Sequence, residues 1–274
     1  MRTILITGAT DGLGRALAAD LASTGATLLL HGRDDVRGKD TLDEIRARTG
    51  NDRLHWLRAD LADLAQVRTL AAEVGQLTDR LDALVSNAGI GSSVPGGGRR
   101  QESVDGIELR FAVNYLAGFL LTRLLLPQLI RSAPARIVQV SSAGQMAIDF
   151  DDVMLTRGYS GVRAYCQSKL AQILFTMDLA EQLDGTGVTV NALHPATYMP
   201  TKIVDSPVSS IEDGVRATAR LVTAPELATV TGRYFNGQHE ARADPQAYDP
   251  EARRRLRELS ERLTDLGPLE SRKR

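Results

Sequence analysis

The chain has 274 residues, 43% hydrophobic and 24% charged, with a formal net charge of -1. That balance supplies a full apolar core and excludes disorder, a collagen-like repeat and the charge excess needed to hold nucleic acid or an acidic lipid surface. The single cysteine, Cys166, excludes an internal disulfide. Residues 4–6 are too short an apolar run for a signal peptide, and the most apolar stretch, 119–130, is broken by Arg123 and too short for a membrane span. A soluble, cytoplasmic protein with no membrane partner is expected.

In chain order, short apolar runs alternate with stretches of helical period. Residues 3–7, 26–31, 54–58, 83–86, 136–140 and 188–193 predict strands. They are mostly continuous apolar runs, as expected of parallel strands covered on both faces. Residues 12–24, 36–49, 64–77, 106–131 and 163–183 carry apolar side chains three and four apart and predict helices. The alternation implies crossovers that place helices on both faces of one sheet: an α/β, doubly wound, parallel, Rossmann-type fold. Residues 91–98 (GSSVPGGG) predict a loop, and 145–162 a long irregular insertion whose Asp149, Asp151 and Asp152 are solvated. Residues 198–211, with Pro200 and Pro207, predict a mobile connection, followed by a helix at 211–222, a short strand at 232–236 and a helix at 250–266. No composition shift marks a second domain, so residues 1–266 are expected to form one dinucleotide-binding and catalytic domain, with 267–274 a frayed tail.

The first strand runs into Thr7-Gly8-Ala9-Thr10-Asp11-Gly12-Leu13-Gly14 and then directly into a helix. Glycines there let a pyrophosphate approach the backbone, and the helix N-terminus supplies amides and a favourable dipole. Thr10, Asp11 and Leu13 share that turn and are expected to contact the cofactor. Roughly 20 residues on, the end of the second strand reads the adenosine ribose. Here Gly32-Arg33 comes first and Asp34 follows. Arg33 suits a 2′-phosphate, with Arg15 assisting, and NADP is favoured over NAD; in the alternative Arg33 faces solvent and Asp34 takes the ribose. Asp60, with Leu61 beside it, is expected to meet the adenine, or else to cap the helix that follows.

Tyr165 and Lys169 are four apart in a helical stretch and share one face, while Ser141 and Ser142 end the fifth strand, at the edge where doubly wound sheets bind ligands. A free phenol ionises near pH 10, too high for ready proton exchange. A neighbouring ammonium favours the phenolate, so Tyr165 suits proton transfer at a carbonyl or hydroxyl oxygen, with Ser142 holding that oxygen as charge develops.

Together with Asn87-Ala88-Gly89, Asn114 and His194-Pro195, these motifs resemble the short-chain dehydrogenase/reductase superfamily over about residues 3–263. Asn114-Tyr115-Leu116-Ala117-Gly118-Phe119 and Tyr165-Cys166-Gln167-Ser168-Lys169-Leu170-Ala171 are similar to its retinol dehydrogenase and WW-domain oxidoreductase branch. The resemblance implies that Asn87, Ala88 and Gly89 stabilise the sheet beside the adenine ribose. It also implies that Asn114 holds a relay water, that Lys169 binds the nicotinamide ribose, and that Pro195 and Thr197 lie at the nicotinamide. A preference for NADP through Arg33 is implied too, as is a homodimer or homotetramer formed through the apolar faces of 106–131 and 163–183.

There are departures. Ala196 replaces the family's glycine, Thr201 is one residue late, and Arg257 stands where relatives often carry tryptophan. Tyr198, Met199 and Ile203 are candidates for substrate contact, or for packing under a lid. Cys166 is expected to be a buried helix residue, and no histidine pair has metal-ligand spacing. The pattern predicts an oxidoreductase moving a hydride between NADP(H) and a carbonyl or alcohol of a moderately apolar small molecule. A catalytically silent NADP(H)-binding sensor and an S-adenosylmethionine-dependent methyltransferase are the rival readings.

Overall fold

A computed structural model describes residues 2–92, 99–197, 199 and 208–269. In chain order the elements are β1 (Thr3–Ile6), α1 (Gly12–Ser23), β2 (Thr27–Gly32), α2 (Asp35–Thr49), β3 (Leu54–Arg58), α3 (Leu64–Leu77) and β4 (Ala83–Ser86). A π-helical turn (Phe111–Leu116), α4 (Ala117–Arg131), β5 (Ala135–Val140), α5 (Gly161–Gln182), β6 (Val188–His194), α6 (Ile211–Thr223), β7 (Arg233–Asn236), β8 (His239–Ala241) and α7 (Pro250–Leu263) follow. They build one sheet in the order β3-β2-β1-β4-β5-β6-β7-β8, parallel up to β7. The strand order reverses between β1 and β4, which opens a crevice at the carboxyl edge.

Both sheet faces are dry, and the strand residues divide between them by their period of two. Ile4, Ile6, Leu28 and Leu30 enter one core with α1 and α6, while Leu5 and Leu29 enter the other with α3, α4 and α5. This is why the strands read as unbroken apolar runs.

Four expectations are corrected. Residues 106–108 are not helical; Gly106 has φ +75°, and the helix reaches α4 through the π turn. The π turn and α4 together make a 21-residue stretch, Phe111–Arg131, long and apolar enough to cross a membrane, and 72% of its 18-residue apolar window is buried inside the fold. Gly237 (φ +57°) turns the chain into the antiparallel β8, a hairpin with Gly237-Gln238 at its tip. The last helix stops at Leu263, and residues 267–269 are docked: the Gly267 carbonyl accepts from Arg123, and Leu269 packs on the core.

The 145–162 insertion is built in. Gln246 brackets Ile148 with two hydrogen bonds, and Ile148 and Leu155 are buried. Asp149 pairs with Arg163 at 3.0 Å and Asp151 with Arg255 at 3.6 Å. Asp152 is buried, accepting from the Thr156 and Arg157 amides, which hold its carboxyl down to about 2.

Part of the expected subunit face is covered within the chain. Every residue of α5 from 167 to 180 is buried, because α7 lies across it. Arg257 pairs with Asp178, Arg253 with Glu181 at 2.6 Å, and the Ser260 and Tyr115 hydroxyls meet at 2.7 Å. Along residues 167–180 the helix has no exposed side chain.

Candidate active site

The turn after β1 sets the first half of the site. Gly8 has φ +68°, and a Cβ there would lie 2.8 Å from Ala88 Cα; one on Gly14 would lie 2.2 Å from the Gly8 carbonyl oxygen. Only glycine lets the turn close on the end of β4 and α1 abut it. Asn87 donates through Nδ2 to the Thr7 and Gly8 carbonyls at 2.9 and 3.2 Å. The Thr7 hydroxyl accepts from the Asn87 and Ala88 amides at 3.0 and 3.1 Å. Asp11 caps α1 through the Gly12 amide at 2.8 Å. The amides of Leu13 and Gly14, in the first helical turn, have no intrahelical partner and suit an anion.

At the expected adenosine end, Asp34 is committed. Its Oδ1 accepts from the Val36 and Arg37 amides as the cap of α2. Arg33 is exposed, and its guanidinium has no partner among the described residues. Arg15 pairs with Glu44 of α2 and so turns away from the glycine turn. The cation that does reach the turn is Arg37, which the sequence reading missed: its Nη2 donates to the Thr10 carbonyl at 3.1 Å and to Asp11 at 2.8 Å. Asp60 accepts from the Ala62 amide, and Asp63 is the actual cap of α3. The Leu61 side chain is buried in the core, which leaves its backbone as the part available to a ligand. Trp56 donates to Asp35 at 2.8 Å and fills the space a Cβ would need on Gly32 or Gly38, next to Thr10.

The second half gathers Asn114, Ser142, Tyr165 and Lys169 at the ends of β4 and β5. Ser142 and Tyr165 both border Gly144, with the Ser142 hydroxyl near enough to the Tyr165 phenol to favour its ionised form. Lys169 is fully buried: its Nζ donates to the Val140 carbonyl at 2.9 Å and to Gln172 Oε1 at 3.1 Å, while Ser141 holds its backbone carbonyl at 2.7 Å. Asn114 sits in the π turn, a distortion often found at functional sites. Its Oδ1 accepts from the Ile90 amide at 2.7 Å, and its Nδ2 donates to the Ile90 carbonyl and to Ser168. A Cβ on Gly89 would lie 3.2 Å from Asn114 Oδ1 and 3.5 Å from Lys169 Nζ, so these groups converge.

Burial pushes the Tyr165 phenol up, opposed by the Ser142 hydroxyl. Burial also pulls Lys169 down to about 8. The expected lowering of the phenol by Lys169 is not what the protein alone produces. The ammonium is held by Val140 and Gln172, 5.8 Å from the Tyr165 ring centroid. Cys166 is half-buried and its thiol is pushed up by burial.

Past β6, Pro195 is buried and Thr197 is exposed, with its hydroxyl 3.1 Å from His194 Nε2. Met199 packs against Gly214 and Leu13 under α6, which is the packing alternative. Tyr198, Thr201 and Ile203 lie outside the described residues. On the other rim, buried Arg110 donates to the Gly91 and Ser92 carbonyls and to the Tyr159 hydroxyl, which donates to buried Glu108. This node was not readable from spacing, because its members come from three separate segments. Among the described residues no cluster could hold a metal ion.

A family model described as short chain dehydrogenase matches residues 2–210. Human retinol dehydrogenase 13 is 39% identical, over 97% of this chain and 85% of its own. Mouse polyprenol dehydrogenase is 37% identical, over 97% of this chain and 84% of its own. Among solved structures, a short chain dehydrogenase from Salmonella enterica serovar Typhi superposes with a TM-score of 0.71 at 26% identity, covering 86% of this chain and 96% of that one. The Pseudomonas aeruginosa RhlG/NADP active-site complex gives 0.69 at 28%, covering 86% and 94%. The glycine turn, the converging Asn114, Ser142, Tyr165 and Lys169, and these likenesses place the chain in the short-chain dehydrogenase/reductase family, in its retinol dehydrogenase-like branch.

Proposed function

We propose that this protein is an NADP(H)-dependent oxidoreductase that interconverts an alcohol and a carbonyl on a moderately apolar small molecule. Family membership carries the coarser part, a nicotinamide-linked oxidoreductase. The observation that carries the rest is the convergence of Tyr165, Ser142, Lys169 and Asn114 at the sheet edge that also bears the glycine turn. The named activities of the relatives, on retinol and polyprenol, point to an extended apolar alcohol or its carbonyl counterpart.

The residues present fit a dinucleotide. The close-packed glycines and the α1 N-terminus would hold its pyrophosphate, with Asn87, Ala88 and Gly89 forming the wall. Arg33 would take the 2′-phosphate: no described residue partners its guanidinium while Asp34 is spent as a helix cap, and these two facts support NADP over NAD. Asp60 and Leu61 would border the adenine, and Pro195 and Thr197 the nicotinamide. When bound, the nicotinamide supplies or accepts the hydride. Ser142 holds the substrate oxygen by hydrogen bond, and Tyr165 gives that oxygen its proton in reduction or takes it in oxidation. Lys169 keeps a positive charge behind the phenol, and Asn114 fixes the Ile90 backbone beside it.

The test is oxidation of NADPH and NADH across ketones and aldehydes of graded size, with Tyr165→Phe and Arg33→Ala alongside. Tyr165→Phe is expected to cost about 10²–10⁴-fold in kcat. Arg33→Ala is expected to raise the KM for NADPH and leave NADH nearly unchanged. Turnover with NADH alone would overturn the role given to Arg33; tight cofactor binding without turnover would favour a sensor.

A further inference from the structure

Lys169 carries its charge in an unusual setting. It is fully buried, and no carboxylate faces it among the described residues. What compensates the ammonium is a pair of neutral dipoles: the Val140 carbonyl at 2.9 Å and the Gln172 side-chain oxygen at 3.1 Å. The first is backbone and belongs to the end of any β5 strand. The second is a choice of side chain, one turn further along α5 on the Lys169 face. Gln172 is itself only 1% exposed, in a stretch otherwise spent on core packing, and its Nε2 is 3.5 Å from Gln139 Oε1 on β5. Gln139 is equally buried, and neither its own Nε2 nor the Ser86 hydroxyl nearby on β4 finds a partner among the described residues. A polar seam thus runs behind the lysine through the dry core. Burying such amides is costly unless they serve something.

We propose that Gln172, oriented from behind by Gln139, is the positioning residue for the Lys169 ammonium, fixing where it sits and keeping it protonated. This rests on the role given to Lys169 in the proposed activity. With two of its three N–H groups taken by Val140 and Gln172, the ammonium keeps the third for the cleft, next to Gly89 and Asn114. Without the Gln172 oxygen, one of its two compensating dipoles is gone and the neutral amine is favoured. The titratable group that faces Lys169 is the Tyr165 phenol, from α5 itself. The neighbours from β5, the segment after β4 and the π turn are Val140, Ser141, Gly89 and Asn114, none of which ionises in this range. Loss of the lysine charge therefore passes directly to the phenol.

The chain has few lysines, Lys39, Lys169, Lys202 and Lys273, so ¹³C-ε-lysine labelling of the full chain gives a spectrum in which each can be followed against pH; Lys169→Arg identifies the signal. In Gln172→Met, close in volume but with no acceptor, Lys169 is expected to titrate lower by about one unit or more. Gln172→Glu, which restores an oxygen, should return it to the parental value or above. Gln172→Asn keeps the amide one methylene short; it should also titrate low, and it stands in if the methionine variant does not fold. In alcohol oxidation, the acid limb of the kcat/KM profile should move to higher pH in the methionine variant and back in the glutamate variant. An unmoved Lys169 titration in a folded Gln172→Met protein would overturn the proposal. A titration that moves in a protein with no nicotinamide-dependent turnover would keep the Gln172 assignment for the lysine and sink the proposed activity instead.

Discussion

His31 lies beneath the glycine turn, its Nδ1 3.4 Å from the Gly8 amide nitrogen and its Nε2 3.1 Å from the Ala59 carbonyl oxygen. Both contacts are satisfied by one neutral tautomer: Nε2–H donates and Nδ1 accepts. Burial pulls the imidazole from 6.5 down to about 4. The unfolded chain therefore binds a proton that the folded chain refuses, and the stability tied to neutral His31 is complete above about pH 6.5 and lost as the pH falls towards 4. Urea unfolding is expected to show a loss of up to about 3 kcal/mol from this group across that window, and His31→Gln should flatten the slope. Burial lowers His194 in the same direction, so the share belonging to His31 is the part of the slope that His31→Gln removes, while the Asp152 carboxyl, held down to about 2, titrates in a lower range. Residue by residue, the sequence disclosed the groups whose meaning lies in short spacing: Gly8, Gly12 and Gly14 on one turn, and Tyr165 and Lys169 on one helix face. It did not disclose Gln172, Arg37 or Trp56. Each of those acquires its role from a partner brought in from elsewhere in the fold, and nothing in its immediate neighbours announces that partner.

Between elements, the joint most exposed to damage is the Glu108–Arg110–Tyr159 node. It binds the segment after β4, the approach to the π turn and the end of the insertion before α5 through the buried side chains of Arg110 and Glu108. Arg110 and Glu108 are both fully buried, and the Tyr159 hydroxyl mediates between their side chains, which are 3.9 Å apart. Arg110→Met would leave a buried carboxylate without its cation, and denaturant titration is expected to show a loss of about 3–5 kcal/mol. Tyr159→Phe, which removes the mediator and keeps both charges, should cost less, about 1–3 kcal/mol. The elements themselves were legible from periodicity, since strands buried on both faces and amphipathic helices leave different patterns. The π turn was not. An extra residue in a helix leaves the apolar spacing almost unchanged, and only the odd presence of Asn114 inside the helix hinted at it.

For the molecule as a whole, the last helix decides how the surface is used. The resemblance implies subunits meeting on the apolar faces of 106–131 and 163–183; α7 covers part of the second through Leu256 and through the Arg253, Arg257 and Ser260 contacts. Residues 250–266 read as a charged surface helix because the arginines dominate the pattern, and their acidic partners, Asp178 and Glu181, are too distant in sequence to suggest a docking site. Removing the chain from Pro250 onward is expected to lower Tm and produce concentration-dependent association by light scattering, whereas in the intact chain amide exchange along α5 should not vary with protein concentration. The opposite end of the crevice has its own consequence. The chain contains one tryptophan, and Trp56 stands against Gly32, Gly38 and Thr10, where the adenosine half of a dinucleotide would lie. The intrinsic indole emission of the molecule is thus that of a single tryptophan beside the glycine turn, and with the dinucleotide seated as proposed it would gauge occupancy with neither a label nor turnover.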